Sequence, residues 1–248
     1  MIVTILGSGS KGNSTLIEIG NKNILIDAGL PLINLEKRLN RKLPDIDILI
    51  ITHTHQDHIK GIKSITKKHN PCIYTIKNNI EEKLPNYNNI NYEQEIKLEN
   101  INIDLFEVSH DVPCLGISIK DIEKDKELIY ITDTGYIKEK ILNKYQNKDI
   151  YILESNYDET MLNEGKYPFH LKQRIRSDRG HLSNKDTCRY LKTLIGPKTS
   201  YLCLAHLSEE NNKPEIVETK TKEALETIDN NIKEVIICSQ TESITIEI

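Results

Sequence analysis

Four side chains that can bind a metal ion stand within six consecutive residues of this sequence: His53, His55, Asp57 and His58. The apolar run from Ile48 to Ile51 comes directly before them and predicts a buried strand. Isoleucines then recur at helical spacing, which predicts a helix after the turn. The four side chains would therefore lie at the carboxyl end of a strand, where open α/β sheets place their sites. Imidazole and carboxylate groups together suit zinc, manganese or iron.

Three other apolar strands end in residues of the same kinds. His110 follows one of them, Asp133 follows the next, and His206 follows a third. A lone histidine of this kind more often belongs to a loop or a core. The repetition of the pattern matters more than any one residue. The ends of neighbouring strands converge on one edge of a sandwich and would bring these side chains together.

The run His53-x-His55-x-Asp57-His58 after an apolar strand resembles the signature of the metallo-β-lactamase superfamily. Its Asp-His ending is similar to that of the two-metal hydrolases, and the later strand ends resemble the superfamily's remaining ligand motifs in order. The resemblance implies two divalent ions, zinc or manganese with iron as a further option. One ion would bind His53, His55 and His110, and the other Asp57, His58 and His206, with Asp133 bridging both.

Such a pair of ions would make the chain a hydrolase. Two ions roughly 3.5–4 Å apart lower the pKa of a water between them, so that hydroxide attacks phosphorus or a carbonyl carbon. Asp57 would also orient this nucleophile. Asp27, in the segment LIDAG, would hold a metal-bound histidine by accepting its free N–H, although a simple turn carboxylate is the alternative.

Length and composition favour one domain over residues 1–248, with ample chain for a large core. The net charge of −4 gives no global basic field, so any nucleic-acid surface must be local. Five scattered cysteines without a CxxC motif favour reduced thiols in a cytoplasmic protein. The N-terminus lacks the features of a signal peptide, and no apolar run approaches transmembrane length, so we expect no membrane association.

Predicted strands alternate with helices, and each half also contains hairpin runs. This α/β pattern fits two mixed β-sheets packed face to face with helices outside, a four-layer αβ/βα sandwich, and the superfamily resemblance implies the same fold. A short helix with loops is predicted over residues 77–90. Longer helices are predicted over residues 31–40, 137–145, 158–165, 183–195 and 214–228.

Four further segments narrow the family: SGSKGN (8–13), LESNYD (153–158), GHLSN (180–184) and AHLSEEN (205–211). Together they resemble the YycJ/WalJ family, which is related in fold to RNase Z and RNase J, and the resemblance covers the whole chain. It implies a nuclease that acts on DNA ends as a 5′-to-3′ exonuclease. The inserted β-CASP domain of RNase J is absent between Asp133 and Glu154.

A basic run from Lys166 to Arg179 leads directly into His181. Its cations could bind phosphates, and Tyr167 and Phe169 could stack on bases at a frayed end, whereas a solvated helix face is the alternative. The spacing of Ser183 and Asp186 predicts a helix N-terminus. His181 would then lie on the loop before that helix, where it would bind the scissile phosphate or protonate the leaving oxygen. The candidate phosphate-binding residues of the run are Lys172, Arg174, Arg176 and Arg179.

The loop from Gly7 to Asn13 is a weaker phosphate-binding pattern, with Ser8, Ser10, Lys11 and Asn13 as candidates. Asn156 and Asp158 receive no role, and helix capping is the simple explanation for Asp158.

Two other functions stay open. A thioesterase or lactonase similar to glyoxalase II would use the same metals, but the basic run counts against it. An RNA endonuclease similar to RNase Z would carry a tRNA-gripping arm, for which the sequence has no glycine-rich insertion. We expect no obligate protein partner, and the sequence fixes neither the native metal nor the oligomeric state.

Overall fold

The computed structural model of the chain describes residues 1–76, 84 and 86–248. Fourteen strands occur in this part of the chain. They are β1 (Ile2–Gly7), β2 (Ser14–Ile19), β3 (Lys22–Ile26), β4 (Ile48–Ile50), β5 (Cys72–Ile76), β6 (Tyr87–Ile90), β7 (Gln94–Lys97), β8 (Ile101–Val108), β9 (Cys114–Asp121), β10 (Lys126–Ile131), β11 (Ile150–Glu154), β12 (Tyr201–Ala205), β13 (Glu234–Ile237) and β14 (Ile244–Glu247).

The strands form two mixed sheets of seven strands each. The first sheet has the order β14-β1-β2-β3-β4-β5-β6, and the second β13-β12-β11-β10-β9-β8-β7. The run from β3 to β6 is parallel, as is the run from β10 to β13, while the other neighbours are antiparallel. Each sheet therefore has one edge at which several parallel strands end together.

Alternating side chains on these strands build the layers. Ile24 and Ile26 of β3 face a core shared with the second sheet, whereas Leu25 packs in a separate cluster with helix residues. On β12, Cys203 belongs to the shared core and Leu202 to a cluster on the outer face. Because successive side chains of a strand point to opposite faces, each sheet packs against its partner sheet and against helices. The predicted four-layer sandwich is thus confirmed.

Eight helices occur in the described residues. They are α1 (Leu32–Leu39), α2 (Gln56–Ile59), α3 (Ile62–His69), α4 (Glu139–Lys144), α5 (Glu159–Glu164), α6 (Phe169–Arg176), α7 (Asn184–Leu194) and α8 (Pro214–Leu225). No helix in the described part of the chain is long and apolar enough to span a membrane.

Three local predictions differ from the structure. The single helix expected after the turn is two helices, α2 and α3, separated around Gly61. A Cβ at Gly61 would lie 1.9 Å from the Leu30 carbonyl oxygen, so only glycine permits this close approach. Residues 87–90 form strand β6 instead of a loop, while the rest of the predicted 77–90 helix lies mostly outside the described residues. Helix α6 was not predicted as a separate element.

Candidate metal centre and active site

The ends of the parallel strands carry most of the candidate site. Asp27 follows β3, Asp133 lies just beyond β10, and His206 follows β12. All three adopt left-handed backbone conformations, with φ values of 59°, 55° and 57°. This region is uncommon for residues that carry a Cβ, and such strain concentrates at functional sites. The chain turns sharply at each strand end while these three side chains stay buried.

The first predicted ligand set lies together. The ring centroid of His53 is 4.7 Å from that of His55 and 5.0 Å from that of His110, and the other two rings are 5.0 Å apart. One nitrogen of each ring lies within 4.8 Å of the others. The three imidazoles can therefore bind one ion together.

The second predicted set converges in the same way. Oδ2 of Asp57 lies 3.5 Å from Nε2 of His58 and 3.9 Å from Nε2 of His206. His58 is fully buried and His206 nearly so. These three residues also satisfy the distance condition for a shared ion.

Asp133 lies beside the second set and also groups with His53 of the first. Its Oδ2 is 3.5 Å from Nε2 of His58, and its Oδ1 is 3.4 Å from Nε2 of His206. His53, His58 and Asp133 form a further group whose ligand atoms all lie within 4.8 Å of one another. The structure thus brings the seven predicted ligands together and puts Asp133 where a bridging role would require it.

Buried atoms without partners test whether these residues fit a metal ion. Nε2 of His53, Oδ2 of Asp133 and Nε2 of His206 have no hydrogen-bond partner among the described residues. Leaving a buried polar atom unsatisfied costs about 1–3 kcal/mol, so such atoms normally have a partner. A divalent cation is a partner that imidazole nitrogen and carboxylate oxygen share. The donor set therefore fits.

Electrostatics at the centre favour cations as well. Burial raises the pKa of Asp133, but the surrounding histidines, His206 and His58 foremost, lower it well below its usual value. Burial lowers the pKa of His58, but the carboxylates of Asp27 and Asp133 raise it to about 10. A buried carboxylate keeps its negative charge only where positive charge lies close to it, so these carboxylates favour a cation at the centre.

Asp27 makes the contact that its predicted role requires. Its carboxylate accepts hydrogen bonds from the backbone N–H of Thr52 at 2.8 Å and from the Thr52 hydroxyl at 2.8 Å. It also lies 2.7 Å from Nδ1 of His58. A hydrogen on Nδ1 directed at this carboxylate leaves Nε2 of His58 for a metal ion.

Glu154 is a buried carboxylate to which the sequence analysis gave no role. It ends β11, and its Oε1 lies 2.8 Å from Nδ1 of both His181 and His206. Its Oε2 accepts the backbone N–H groups of Thr134 and Leu182, each at 3.1 Å. Burial raises the pKa of Glu154, but the charges and hydrogen bonds of His181 and His206 outweigh it and lower the pKa to about 2. The sequence signal was its position at the end of an apolar strand.

His181 lies on the loop before α7, as predicted. The Ser183 hydroxyl accepts the backbone N–H of Asp186 at 3.0 Å and caps the helix. The His181 side chain is 21% exposed, and its ring lies 5.2 Å from that of His206 and 5.4 Å from that of His110. Because Nδ1 is bound to Glu154, Nε2 is the nitrogen left for a substrate.

A cavity of about 310 Å³ opens above these residues. His181, Asp133 and members of both ligand sets line it, and α6 supplies one wall through Leu171, Arg174 and Ile175. The spacing of these three residues is that of one helix face. His181 and the candidate ligands thus share a cavity with a basic side chain of α6.

The basic run divides into two parts. Arg174 and Arg179 line the cavity, and Tyr167 does so as well. Lys172 donates to the backbone oxygen of Asn163 at 2.7 Å, and the Arg176 guanidinium donates to the side chain of the same residue. Phe169 is exposed. Of the four candidate residues, only Arg174 and Arg179 have positions suited to the predicted phosphate contacts.

The loop from Gly7 to Asn13 contributes differently from what its sequence indicated. The Ser8 hydroxyl is buried and accepts the backbone N–H of His206 at 2.8 Å. The Asn13 side chain is buried, with Nδ2 2.9 Å from Nε2 of His58 and 3.1 Å from Oδ2 of Asp57. Both residues are buried and contact candidate ligands, so their positions do not fit the predicted phosphate contacts.

The other two candidates of this loop lie near the cavity mouth. Ser10 lines the cavity, and Lys11 forms an exposed ion pair with Glu209 at 2.5 Å. A phosphate contact by Lys11 would therefore have to compete with that carboxylate.

The two residues without a predicted role also have definite places. Oδ1 of Asp158 accepts the backbone N–H groups of Thr160 and Met161, each at 3.0 Å, and caps α5. Asn156 donates to the backbone oxygen of His206 at 2.7 Å and lines the cavity. Capping is thus the observed role of Asp158.

Comparisons with known proteins agree with this architecture. The model of the family described as "Beta-lactamase superfamily domain" matches residues 22–206. Exodeoxyribonuclease WalJ of Streptococcus pneumoniae is 36% identical over 228 residues, which cover 86% of this chain and 84% of that protein. Exodeoxyribonuclease YycJ of Bacillus anthracis is 30% identical over 234 residues, which cover 90% and 88% of the two chains. The metallo-β-lactamase fold protein YhfI from Bacillus subtilis superposes with a TM-score of 0.74 at 18% identity, over 98% of both chains.

The likeness to YhfI establishes the class of fold, the metallo-β-lactamase sandwich. The chain belongs to the β-lactamase superfamily and, within it, to the family of the WalJ and YycJ exodeoxyribonucleases. The family predicted from the sequence is therefore confirmed. Fold and histidine–aspartate clusters together support the binding of divalent metal.

Proposed function

We propose that this chain is a dinuclear metal-dependent exodeoxyribonuclease that hydrolyses DNA from its 5′ ends. One observation carries the proposal: five of the seven candidate ligands, the carboxylate-bound His181 and two arginines line one cavity, and the other two ligands are buried against them. The names of the two relatives support a DNA substrate. The ions would be zinc or manganese, with iron as a further option, because nitrogen and carboxylate donors serve all three.

The two ions would occupy the two ligand sets with Asp133 between them. When bound, they supply a water of lowered pKa and stabilise the charge that develops on the phosphate. Asp57, which lines the cavity and belongs to the second ligand set, would orient the nucleophile.

His181 would protonate the leaving oxygen. Glu154 accepts the hydrogen of its Nδ1, so Nε2 delivers the proton to the oxygen that leaves phosphorus. Arg174 and Arg179 hold the phosphates that flank the scissile bond without reading sequence.

The test uses purified protein with zinc or manganese on DNA labelled at either end, single-stranded and double-stranded, with matched RNA and a thioester alongside. We expect a 5′ label to appear at once in the smallest products, while a 3′ label stays in shortening strands. The variant Asp133→Ala serves as the inactive control.

Two results would contradict the proposal. Turnover of the thioester without DNA hydrolysis would indicate a small-molecule hydrolase similar to glyoxalase II. Cleavage of RNA at internal positions, with DNA untouched, would indicate an endonuclease similar to RNase Z.

A further inference from the structure

Asp111 touches both the candidate metal centre and the basic wall of the cavity. Its Oδ1 lies 3.2 Å from Nε2 of His55 and 3.3 Å from Nε2 of His110. Its Oδ2 pairs with the guanidinium of Arg174. This residue was not among the candidates predicted from the sequence, and it follows His110 in the loop between β8 and β9.

The hydrogen bonds around His110 determine which nitrogen of His55 would meet a metal ion. Nδ1 of His110 lies 3.3 Å from the carbonyl oxygen of Gly180, which can only accept, so this nitrogen carries the hydrogen and Nε2 is the ligand atom. Nδ1 of His55 lies 3.4 Å from that Nε2 and therefore faces the same ligand cluster.

His55 then needs an acceptor for the hydrogen on its other nitrogen. Oδ1 of Asp111 lies 3.2 Å from Nε2 of His55, where a carboxylate can hold the imidazole in one tautomer and one orientation. Asp27 and Glu154 lie closer to their imidazoles, at 2.7 Å from Nδ1 of His58 and 2.8 Å from Nδ1 of His206. Asp111 is thus a third carboxylate on a candidate ligand.

The second oxygen of Asp111 provides one attachment of α6, in addition to the contacts of Lys172 and Arg176 with Asn163. None of the residues of α6, all of which the structure describes, is buried, so apolar packing holds this helix weakly. The Arg174 side chain is 60% exposed and lines the cavity, and Asp111 fixes its guanidinium there. A guanidinium fixed in this way can receive a substrate phosphate with less loss of side-chain entropy.

We propose that Asp111 is a positioning residue that joins the metal centre to the substrate-binding wall. It orients His55 for its metal ion and presents Arg174 to a substrate phosphate, and this second role rests on the proposed function. An isolated exposed ion pair would contribute little to stability and would have no effect on metal affinity.

Three variants separate the two roles. Asp111→Ala removes both contacts. Asp111→Asn keeps an oxygen that can accept from His55 but loses the charge that binds Arg174. Arg174→Gln removes the guanidinium, and with it both the ion pair to Asp111 and the proposed contact to the substrate, but leaves the contact of Asp111 to His55. Asp178→Asn is the matched control. Asp178 is exposed, lines the same surface pocket as Asp111 and forms no ion pair with any described residue.

Metal affinity is measured by competition with a chromophoric zinc chelator, which requires no catalysis. We expect Asp111→Ala to lower the affinity for one of the two zinc ions about 10–100-fold, which is the usual effect of removing a hydrogen-bond partner of a metal ligand. Asp111→Asn should lose less affinity, and Arg174→Gln and Asp178→Asn should lose none. Equal zinc affinity in Asp111→Ala and wild type would overturn the orienting role. Asp111→Ser repeats the test if the alanine variant does not fold.

The link to substrate is measured as KM and kcat on DNA in saturating metal. Asp111→Asn and Arg174→Gln should each raise KM for DNA, and the double variant should be no worse than either alone. If the effects of the two substitutions on KM were fully additive in the double variant, the proposed link between Asp111 and Arg174 would be overturned. If wild type does not hydrolyse DNA, the proposed function fails, while the zinc competition still decides the orienting role.

Discussion

Asp27 of the first sheet and Glu154 of the second are buried carboxylates at the ends of parallel strands, and they serve different partners. Asp27 follows β3 of the first sheet, and Glu154 ends β11 of the second. Asp27 accepts one backbone N–H and Glu154 accepts two, and each lies within 2.8 Å of an imidazole Nδ1. The same local device therefore occurs once on each side of the centre.

The partners show how the two sides differ. Asp27 contacts Nδ1 of His58 directly. It also accepts a hydrogen bond from the Thr52 hydroxyl, whose oxygen lies 3.1 Å from Nδ1 of His53. Both histidines are fully buried candidate ligands. Glu154 instead divides its contacts between one candidate ligand, His206, and the partly exposed His181. The first side would only hold metal, whereas the second would hold metal and also position the proton donor.

The largest effect should follow from removing the residue between the two sides. Asp133→Ala should abolish tight binding of both ions and reduce DNA hydrolysis by more than about 100-fold, because loss of mere outer partners already costs 10–100-fold. Metal content per chain by mass spectrometry checks this outcome. A variant that kept two ions and normal turnover would show that Asp133 does not bridge.

His181→Ala tests whether the second side supplies a proton. Both ions should stay bound, while kcat on DNA should fall about 10²–10⁴-fold, the usual contribution of general acid catalysis. Bis(p-nitrophenyl) phosphate should be affected much less, because its leaving group needs no protonation. Loss of a metal ion from this variant would make His181 a ligand, and equal losses on both substrates would exclude the general acid.

The paired carboxylates provide the direct comparison of the two sides. Asp27→Asn should weaken metal binding by about 10–100-fold, but turnover should recover in saturating metal. Glu154→Gln should weaken metal binding comparably, yet kcat should stay low in saturating metal because His181 is no longer held. Asp121→Asn, a buried carboxylate on β9 outside the cavity, is the control. If saturating metal rescued both variants equally, the proposed difference between the sides would be wrong.

The smallest effect concerns the basic run. Arg174→Gln and Arg179→Gln should weaken DNA binding and flatten its salt dependence by about 0.7–0.9 of a unit of slope for each lost contact. Lys172→Gln and Arg176→Gln, whose side chains bind Asn163 instead, are matched controls. Salt titrations of DNA affinity check this division. Equal slopes for all four variants and wild type would make the run a solvated face.

The sequence predicted the ligands because each follows an apolar run that can be read locally. His53 and His206 stand after buried strands, so strand prediction alone brought them to one edge. Glu154 has the same position but was passed over, because its role depends on His206, which lies 52 residues away in sequence. Asp111 and Arg174 are 63 residues apart, and their contact exists only in the folded chain.

The errors in the fold have a physical cause as well. Helix α6 has no buried residue, so it shows little of the apolar periodicity from which helices are predicted. Strand β6, with the sequence YNNI, is polar and gains its conformation by pairing with β5. Ser8 and Asn13 were expected at a phosphate because their loop is rich in glycine, whereas tertiary packing buries both.

Anomalous diffraction from crystals grown with zinc or manganese tests the central claim most directly. We predict two anomalous peaks per chain, each about 2.0–2.2 Å from its ligand atoms. One peak should lie among His53, His55 and His110, and the other among Asp57, His58 and His206, with Asp133 contacting both. A single peak at saturating metal, or a second peak outside these residues, would contradict the dinuclear account.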